Sequence, residues 1–315
     1  MEKCTFYTLL YVDLENKSLS HNGVSGAFDT QIKIFIGCAE NLNKSLLRFG
    51  YKLVVLTNNK SYVEERSSGL DCVEIPFHLN APKEIGFFAS HHKIDAYKYL
   101  SKIPGYSILM DNDILCINKM PQSLVNLVEL EIPIYYDISF ESFFAYGVDG
   151  LIKDKEAVSN MKSTGLWTGG EFIGGTGAFY ADLFDTIDRF KDYYFANYKT
   201  LIHQTDEMLI APAVEYLLQQ KKYYICDAGR LRIITRYWSA KPRFPQAPFD
   251  ACKENFLIHL PSDKKFIASL ERVDNIVEAY EAYLGNKKEP ILPEFVRLPI
   301  YKVKQSVRKL LNKMS

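Results

Sequence analysis

Tyr106-Ser-Ile-Leu-Met110-Asp111-Asn112-Asp113-Ile-Leu-Cys-Ile117 is an apolar run of strand length that meets an acidic triplet and leaves it as a second apolar run. Charges between buried segments cost several kcal/mol unless they are paired or neutralised. A strand that ends at the carboxylates and presents them to a crevice avoids that cost. Open α/β sheets hold their ligands at the carboxyl ends of their strands. Residues two apart in extended chain share a face, so Asp111 and Asp113 can converge on one hard cation, Mg2+ or Mn2+. The competing reading is a surface turn, since Asp and Asn favour turns.

Upstream, Thr5 to Val12 reads as a buried first strand ending at Asp13. Phe28, Ile32, Phe35, Ala39, Leu42, Leu46 and Phe49 recur at spacings of three and four, which predicts an amphipathic helix stopped by Gly50. Lys52 to Leu56 and Cys72 to Ile75 read as further strands. Strand, helix, strand predicts a parallel sheet with right-handed crossovers. A helix is expected through His91 to Tyr99, with Ser90 as its cap. Lys93 would then oppose the helix dipole and be placed to meet a phosphate, unless it is simply solvated.

Downstream, Ile134 to Gly170 is aromatic, broken by glycines, and reads as a substrate-facing excursion rather than core. Gly174 and Gly175 interrupt the strand-like run Phe172 to Tyr180, a pattern that marks close backbone approach by a ligand or else a loose turn. Thr205-Asp206-Glu207 opens a helix, so the two acids are either helix-dipole partners or catalytic groups. Phe256 to Leu260 is a late strand carrying His259, and one helix is expected over Phe266 to Leu284. A single His in such a strand is commonly a satisfied core residue. Trp167 and Trp238 are candidates to face a sugar ring.

The 315 residues suit one large α/β domain, and the chain carries no net charge, so no global field recruits nucleic acid. Six scattered cysteines without a Cys-x-x-Cys read as free thiols of a reducing compartment. No signal peptide or membrane span is legible. After Glu294 no acid remains, while Arg297, Lys302, Lys304, Arg308, Lys309 and Lys313 are basic. Val303, Val307, Leu310, Leu311 and Met314 fall on one helical face. The expected organisation is a catalytic domain over residues 1–288 and a basic amphipathic tail over 289–315. That tail, through residues 297–315, would place a cytoplasmic protein peripherally on the anionic inner face of a membrane.

In their order these landmarks resemble the GT-A fold glycosyltransferases, most closely the family 8 type, over most of residues 4 to 285. Asn43-Lys44-Ser45-Leu46 with Lys52 to Leu56 resembles that family's first helix and second strand. Asp111-Asn112-Asp113 resembles its metal-binding Asp-x-Asp, and Lys93 its basic donor contact. Phe172-Ile173-Gly174-Gly175 stands where the family has Phe-Asn-Ser-Gly. Thr205-Asp206-Glu207 resembles its Asp-Gln segment. Ile258-His259-Leu260-Pro261 with Lys264 or Lys265 resembles its late His and Lys, though the Gly that usually follows the His is absent.

The resemblance implies a Rossmann-like, mixed and mainly parallel sheet flanked by helices. It implies Mn2+ or Mg2+ on Asp111, Asp113 and His259. A nucleotide-sugar, UDP-linked by analogy, would lie against Tyr11, Val12, Lys93, Asp111, Asn112, Gly174, Gly175, Lys264 and Lys265. Asp206 or Glu207 would be the catalytic carboxylate of a retaining hexosyltransferase. The acceptor would be a saccharide or glycolipid in bacterial surface polysaccharide synthesis. Two other readings stand beside it: a non-catalytic nucleotide- or sugar-binding protein, and an Asp-x-Asp phosphohydrolase. The phosphohydrolase pair usually sits on the first strand, where this chain has Asp13-Leu14-Glu15.

Overall fold

A computed structural model describes residues 4–15 and 27–287. The expected tail over 289–315 lies outside the described residues. The chain divides into two compact units, Met1–Val277 and Glu278–Ser315.

The first unit is built on a seven-stranded sheet. In chain order, β1 (Cys4–Leu10), α1 (Phe28–Leu47), β2 (Leu53–Thr57), α2 (Lys60–Glu64) and β3 (Cys72–Glu74) form the expected alternation. A 3-10 turn over Phe88–His92 leads into α3 (Lys93–Leu100) and then β4 (Tyr106–Met110). Strand β2 is buried at every position, as its unbroken apolar run requires. Of the stripe read from the sequence, helix α1 buries Phe28, Ile32, Ala39, Leu42 and Leu46; Phe35 is half-buried, and Ile36 is buried beside it.

β5 (Ile114–Cys116) follows, then α4 (Gln122–Glu129), β6 (Ile134–Asp137), α5 (Ser139–Tyr146) and α6 (Val148–Ser159). β7 (Thr168–Thr176) and α7 (Gly177–Asn197) come next, then α8 (Glu207–Gln219), β8 (Cys226–Asp227), β9 (Ile234–Arg236) and β10 (Leu257–His259). The chain continues through α9 (Lys264–Ala268) and α10 (Ile276–Asn286).

The large sheet runs β3-β2-β1-β4-β7-β6-β8. Its β1, β2, β3 and β4 are mutually parallel, β7 is antiparallel to both neighbours, and β8 is parallel to β6. The expected mixed, mainly parallel sheet flanked by helices is thus present. A smaller sheet, β5-β10-β9, stands beside it.

Three expectations need correction. Residues 134–170 are not one excursion: β6 lies in the sheet between β7 and β8 with Ile134 fully buried, and α5, which exposes Phe140, Phe144 and Tyr146, and α6 follow it. The aromatic residues there obscured a strand only four residues long. Ser90 caps no α-helix; its hydroxyl donates to the carbonyl of Phe87 within the 3-10 turn. The late helix is two helices, interrupted between Ala268 and Ile276. All six cysteines are free, and burial pushes the Cys4 thiol up to about 12. Among the described residues no helix is long and apolar enough to cross a membrane.

Candidate active site

The acidic triplet is the corner between the two sheets. β4 ends at Met110, and the Asp111 N–H extends the ladder by donating to the Glu171 carbonyl at 2.9 Å. The chain then enters β5, which pairs antiparallel with β10 and sets His259 opposite Ile114. The Leu260 N–H donates to the Asp113 carbonyl at 3.0 Å. Ligand atoms of Asp111, Asp113 and His259 consequently lie within 4.8 Å of one another.

Asp113 faces two cations. Its Oδ1 is 3.2 Å from His259 Nε2, and its Oδ2 accepts from Lys264 Nζ at 2.5 Å. Lys264, the first residue of α9, also donates to the Pro261 carbonyl. Burial pushes the Asp113 carboxyl up, yet Lys264 and His259 bring it well below the ordinary carboxylate value. For His259 burial works downward, but Asp113 and Glu171 raise the imidazole to about 9. Its Nδ1 is 3.4 Å from Glu171 Oε1, and neither ring nitrogen makes an aligned hydrogen bond despite these short ion-pair distances. A neutral imidazole keeps one lone pair, which here would face a carboxylate, so the ring calls for a proton or a metal ion at that nitrogen.

Lys93 has a different task from the one expected. Its Nζ lies 2.6 Å from Asp111 Oδ1, 3.1 Å from Asp206 Oδ2 and 2.8 Å from the Gly170 carbonyl. An ammonium has three donors, and all three directions are taken by protein. Lys93 therefore bridges the Asp111 carboxylate to Asp206 and has no donor left over for a phosphate. Burial opposes its charge, but Asp111 and Asp206 raise it well above the ordinary lysine value. For Asp111, loss of water raises the carboxyl against the pull of Lys93.

Asp206 precedes α8 but makes no capping bond; Thr205 Oγ1 accepts from the Glu207 N–H instead. The Asp206 carboxylate occupies space left by a missing side chain. A Cβ on Gly170 would stand 2.4 Å from Asp206 Oδ2 and 3.4 Å from Lys93 Nζ. Gly170→Ala is expected to destabilise the fold by about 1–3 kcal/mol, the range for overpacking. Denaturant unfolding would read it, and an unchanged midpoint would show that the gap is not tight.

Behind His259 lies a group that sequence reasoning missed. Arg236, on β9, places Nη2 2.5 Å and Nε 2.8 Å from Glu171 Oε1, Nη1 3.3 Å from Glu141, and Nη2 3.7 Å from Glu207. Glu207 also pairs with His203 at 3.0 Å and accepts from Trp167 Nε1 at 3.0 Å. Burial raises the Glu207 carboxyl, but His203, Arg236 and Trp167 together hold it down at about 2. Glu207 is thereby fixed in a buried network, and Asp206 is the acid joined to Asp111 through Lys93.

The residues fit a divalent cation. Asp111, Asp113, Asp206, Glu141, Glu171 and Glu207 are six carboxylates, facing Lys93, Lys264 and Arg236 as permanent cations. Buried charge calls for compensation, and two carboxylates with one imidazole suit Mn2+.

Other expected contacts are redistributed. Gly174 and Gly175 sit near the C-terminal end of β7, paired with the start of β4, where added Cβ atoms would meet Ile134, Ile108 and Phe179. They serve sheet packing and not ligand approach. Because β7 runs antiparallel, its first residues, Gly169 to Glu171, share an edge with the ends of the parallel strands. Val12 is buried, and the Asn58 side chain takes both its N–H and its carbonyl, leaving no free donor. Tyr11 lines a cleft of about 490 Å3 with Asn58, Glu74, Ile75, Pro76 and Phe77, all past or at strand ends. Its ring stacks on His92 at 4.2 Å. Asn112 is half-buried at the corner, and Lys265 is exposed while Lys264 reaches the cluster. Trp167 is fully buried and has no face for a sugar; Trp238 is half-buried.

No family model matches the chain, and no curated protein matches its sequence. Among solved structures, the chain is similar to one described as the WbbM bifunctional glycosyltransferase in its apo form. That match is 12% identical with a TM-score of 0.49, over 88% of this chain and 51% of the other. The chain thus spans about half the length of that protein.

Proposed function

We propose that the chain is a metal-dependent GT-A glycosyltransferase that moves a sugar from a nucleoside-diphosphate sugar to a saccharide or glycolipid acceptor. The observation that carries this reading is the convergence of Asp111, Asp113 and His259 within 4.8 Å at the carboxyl edge of the parallel strands. A bound Mn2+ or Mg2+ would supply Lewis-acid neutralisation of the departing diphosphate. Lys264 lies beside Asp113 and adds a fixed positive charge on the same side. Lys93 holds Asp111 and Asp206 at a set spacing, so the carboxylate aimed at the sugar keeps register with the metal ligands. Asp206 would steer donor hydroxyls or stabilise positive charge at the anomeric carbon. The cleft beside Tyr11 lies at the same edge and suits the nucleoside.

The decisive experiment incubates the protein with a panel of nucleotide-sugars and Mn2+ or Mg2+ and follows nucleoside diphosphate release. Cation-dependent release from one donor is the expected result. Nucleotide binding without release across the panel would favour a binding protein, and phosphate release from simple phosphomonoesters would favour a phosphohydrolase.

A further inference from the structure

His259 is held between two carboxylates with different surroundings. On its Nε2 side stands Asp113, and ligand atoms of Asp111, Asp113 and His259 lie within 4.8 Å of one another. On its Nδ1 side stands Glu171, whose side chain is 1% exposed and remote from solvent. We propose that Glu171 is the positioning residue for His259: its carboxylate faces Nδ1 to accept that nitrogen's N–H and leaves Nε2 to a divalent cation. This rests on the cation reading above and goes beyond it by naming what orients the imidazole.

Glu171 is fixed from three directions. Two Arg236 nitrogens bond the same oxygen, Oε1, that faces His259. Its carbonyl accepts the Asp111 N–H, so one backbone bond sets the spacing between a metal-site acid and the residue that orients the imidazole. Its other oxygen, Oε2, lies where a Cβ on Gly169 would be only 2.0 Å away, so a glycine is needed there. That Oε2 is buried and has no hydrogen-bond partner. A carboxylate placed only to neutralise Arg236 would not need such a position, because Glu141 and Glu207 already face that guanidinium. Glu171 alone among the three also reaches the imidazole.

The chemistry is that of a carboxylate behind a ligating histidine. It fixes the tautomer and ring plane and makes the free nitrogen more basic, and loss of such a partner costs roughly 10- to 100-fold in metal affinity. Arg236 in turn compensates the buried carboxylate, with two guanidinium nitrogens on Oε1.

The test is Mn2+ titration of the full chain as wild type, Glu171→Leu and Glu171→Gln, with thermal unfolding of each. Glu171→Leu is expected to weaken Mn2+ binding about 10- to 100-fold. Glu171→Gln keeps an acceptor oxygen and should recover most of that loss. A purely structural Glu171 would instead lower the unfolding temperature of the Leu variant and leave its Mn2+ affinity near wild type, which overturns the proposal. If the Leu variant does not fold, imidazole nitrogen resonances of the cadmium-loaded wild type decide. Coupling of the metal to Nε2, with a slowly exchanging proton on Nδ1, is expected; coupling to Nδ1 overturns it. A wild type that binds no Mn2+ overturns the cation reading together with this one. Wild-type binding that the Leu substitution leaves intact overturns this one alone.

Discussion

Asp113→Asn is expected to weaken Mn2+ binding by more than about a hundredfold, the loss of a few kcal/mol that an anionic ligand supplies. Cation-dependent nucleoside diphosphate binding and turnover should fall with it. Asp113 is the most enclosed of the three clustered residues, 2% exposed, and its carboxylate is shared between His259 and Lys264. The substitution keeps the side-chain volume but removes the charge that both cations face. Some stability will therefore be lost, toward the low end of the roughly 3–5 kcal/mol seen when a buried pair loses one partner. Lys264 retains the Pro261 carbonyl, and His259 can shed its proton, which softens the loss. Binding must accordingly be read on protein shown to be folded by circular dichroism. A folded Asp113→Asn variant that binds Mn2+ and turns over like wild type would remove the metal site.

The parts of this site that the sequence disclosed are those where an apolar run stops at a charge. Tyr106 to Ile117 announced a break between two buried strands, and the structure puts those strands in different sheets. The first three parallel strands and α1 were legible for the same reason: burial on one or both faces leaves an unbroken or helical apolar pattern. Arg236 and Glu171 bear the same mark. Arg236 follows Ile233-Ile234-Thr235, and Glu171 stands directly before Phe172-Ile173. Applying the buried-charge rule to them as strictly as to Asp111 would have flagged both. What no local pattern carries is their pairing, 65 residues apart in sequence and made across two sheets. Strand direction was equally hidden. Gly174 and Gly175 interrupt the apolar run, while the reversal of β7 makes Gly169 and Gly170 the ones beside the charges. The 3-10 turn before α3 also escaped, because helical periodicity does not distinguish i+3 from i+4 bonding over five residues.

Asp206→Asn is expected to lower kcat by about a hundredfold or more, the range for a general-base or electrostatic group, with little change in Mn2+ affinity. The competing role for this residue was helix capping, and the geometry separates the two. A capping carboxylate accepts from a backbone N–H of the first turn; that of Asp206 does not, and Thr205 takes the Glu207 N–H. The helix uses only the Asp206 carbonyl, which accepts from Leu209 and Ile210 and survives the substitution. The carboxylate itself lies 4% exposed, 3.1 Å from Lys93, in a gap that exists because residue 170 is glycine. Its Oδ2 has no aligned hydrogen bond, although the ammonium is at ion-pair distance. A buried acid with incomplete satisfaction beside metal-site residues is where substrate hydroxyls or developing positive charge would be met. Asn is close in size and leaves Lys93 its bonds to Asp111 and the Gly170 carbonyl, so the loss in stability should stay below about 2 kcal/mol. The measurement pairs steady-state nucleoside diphosphate release with thermal unfolding on the same preparation. A variant that unfolds earlier yet keeps a wild-type kcat would return Asp206 to a purely structural role, as the charge that holds Lys93 in place.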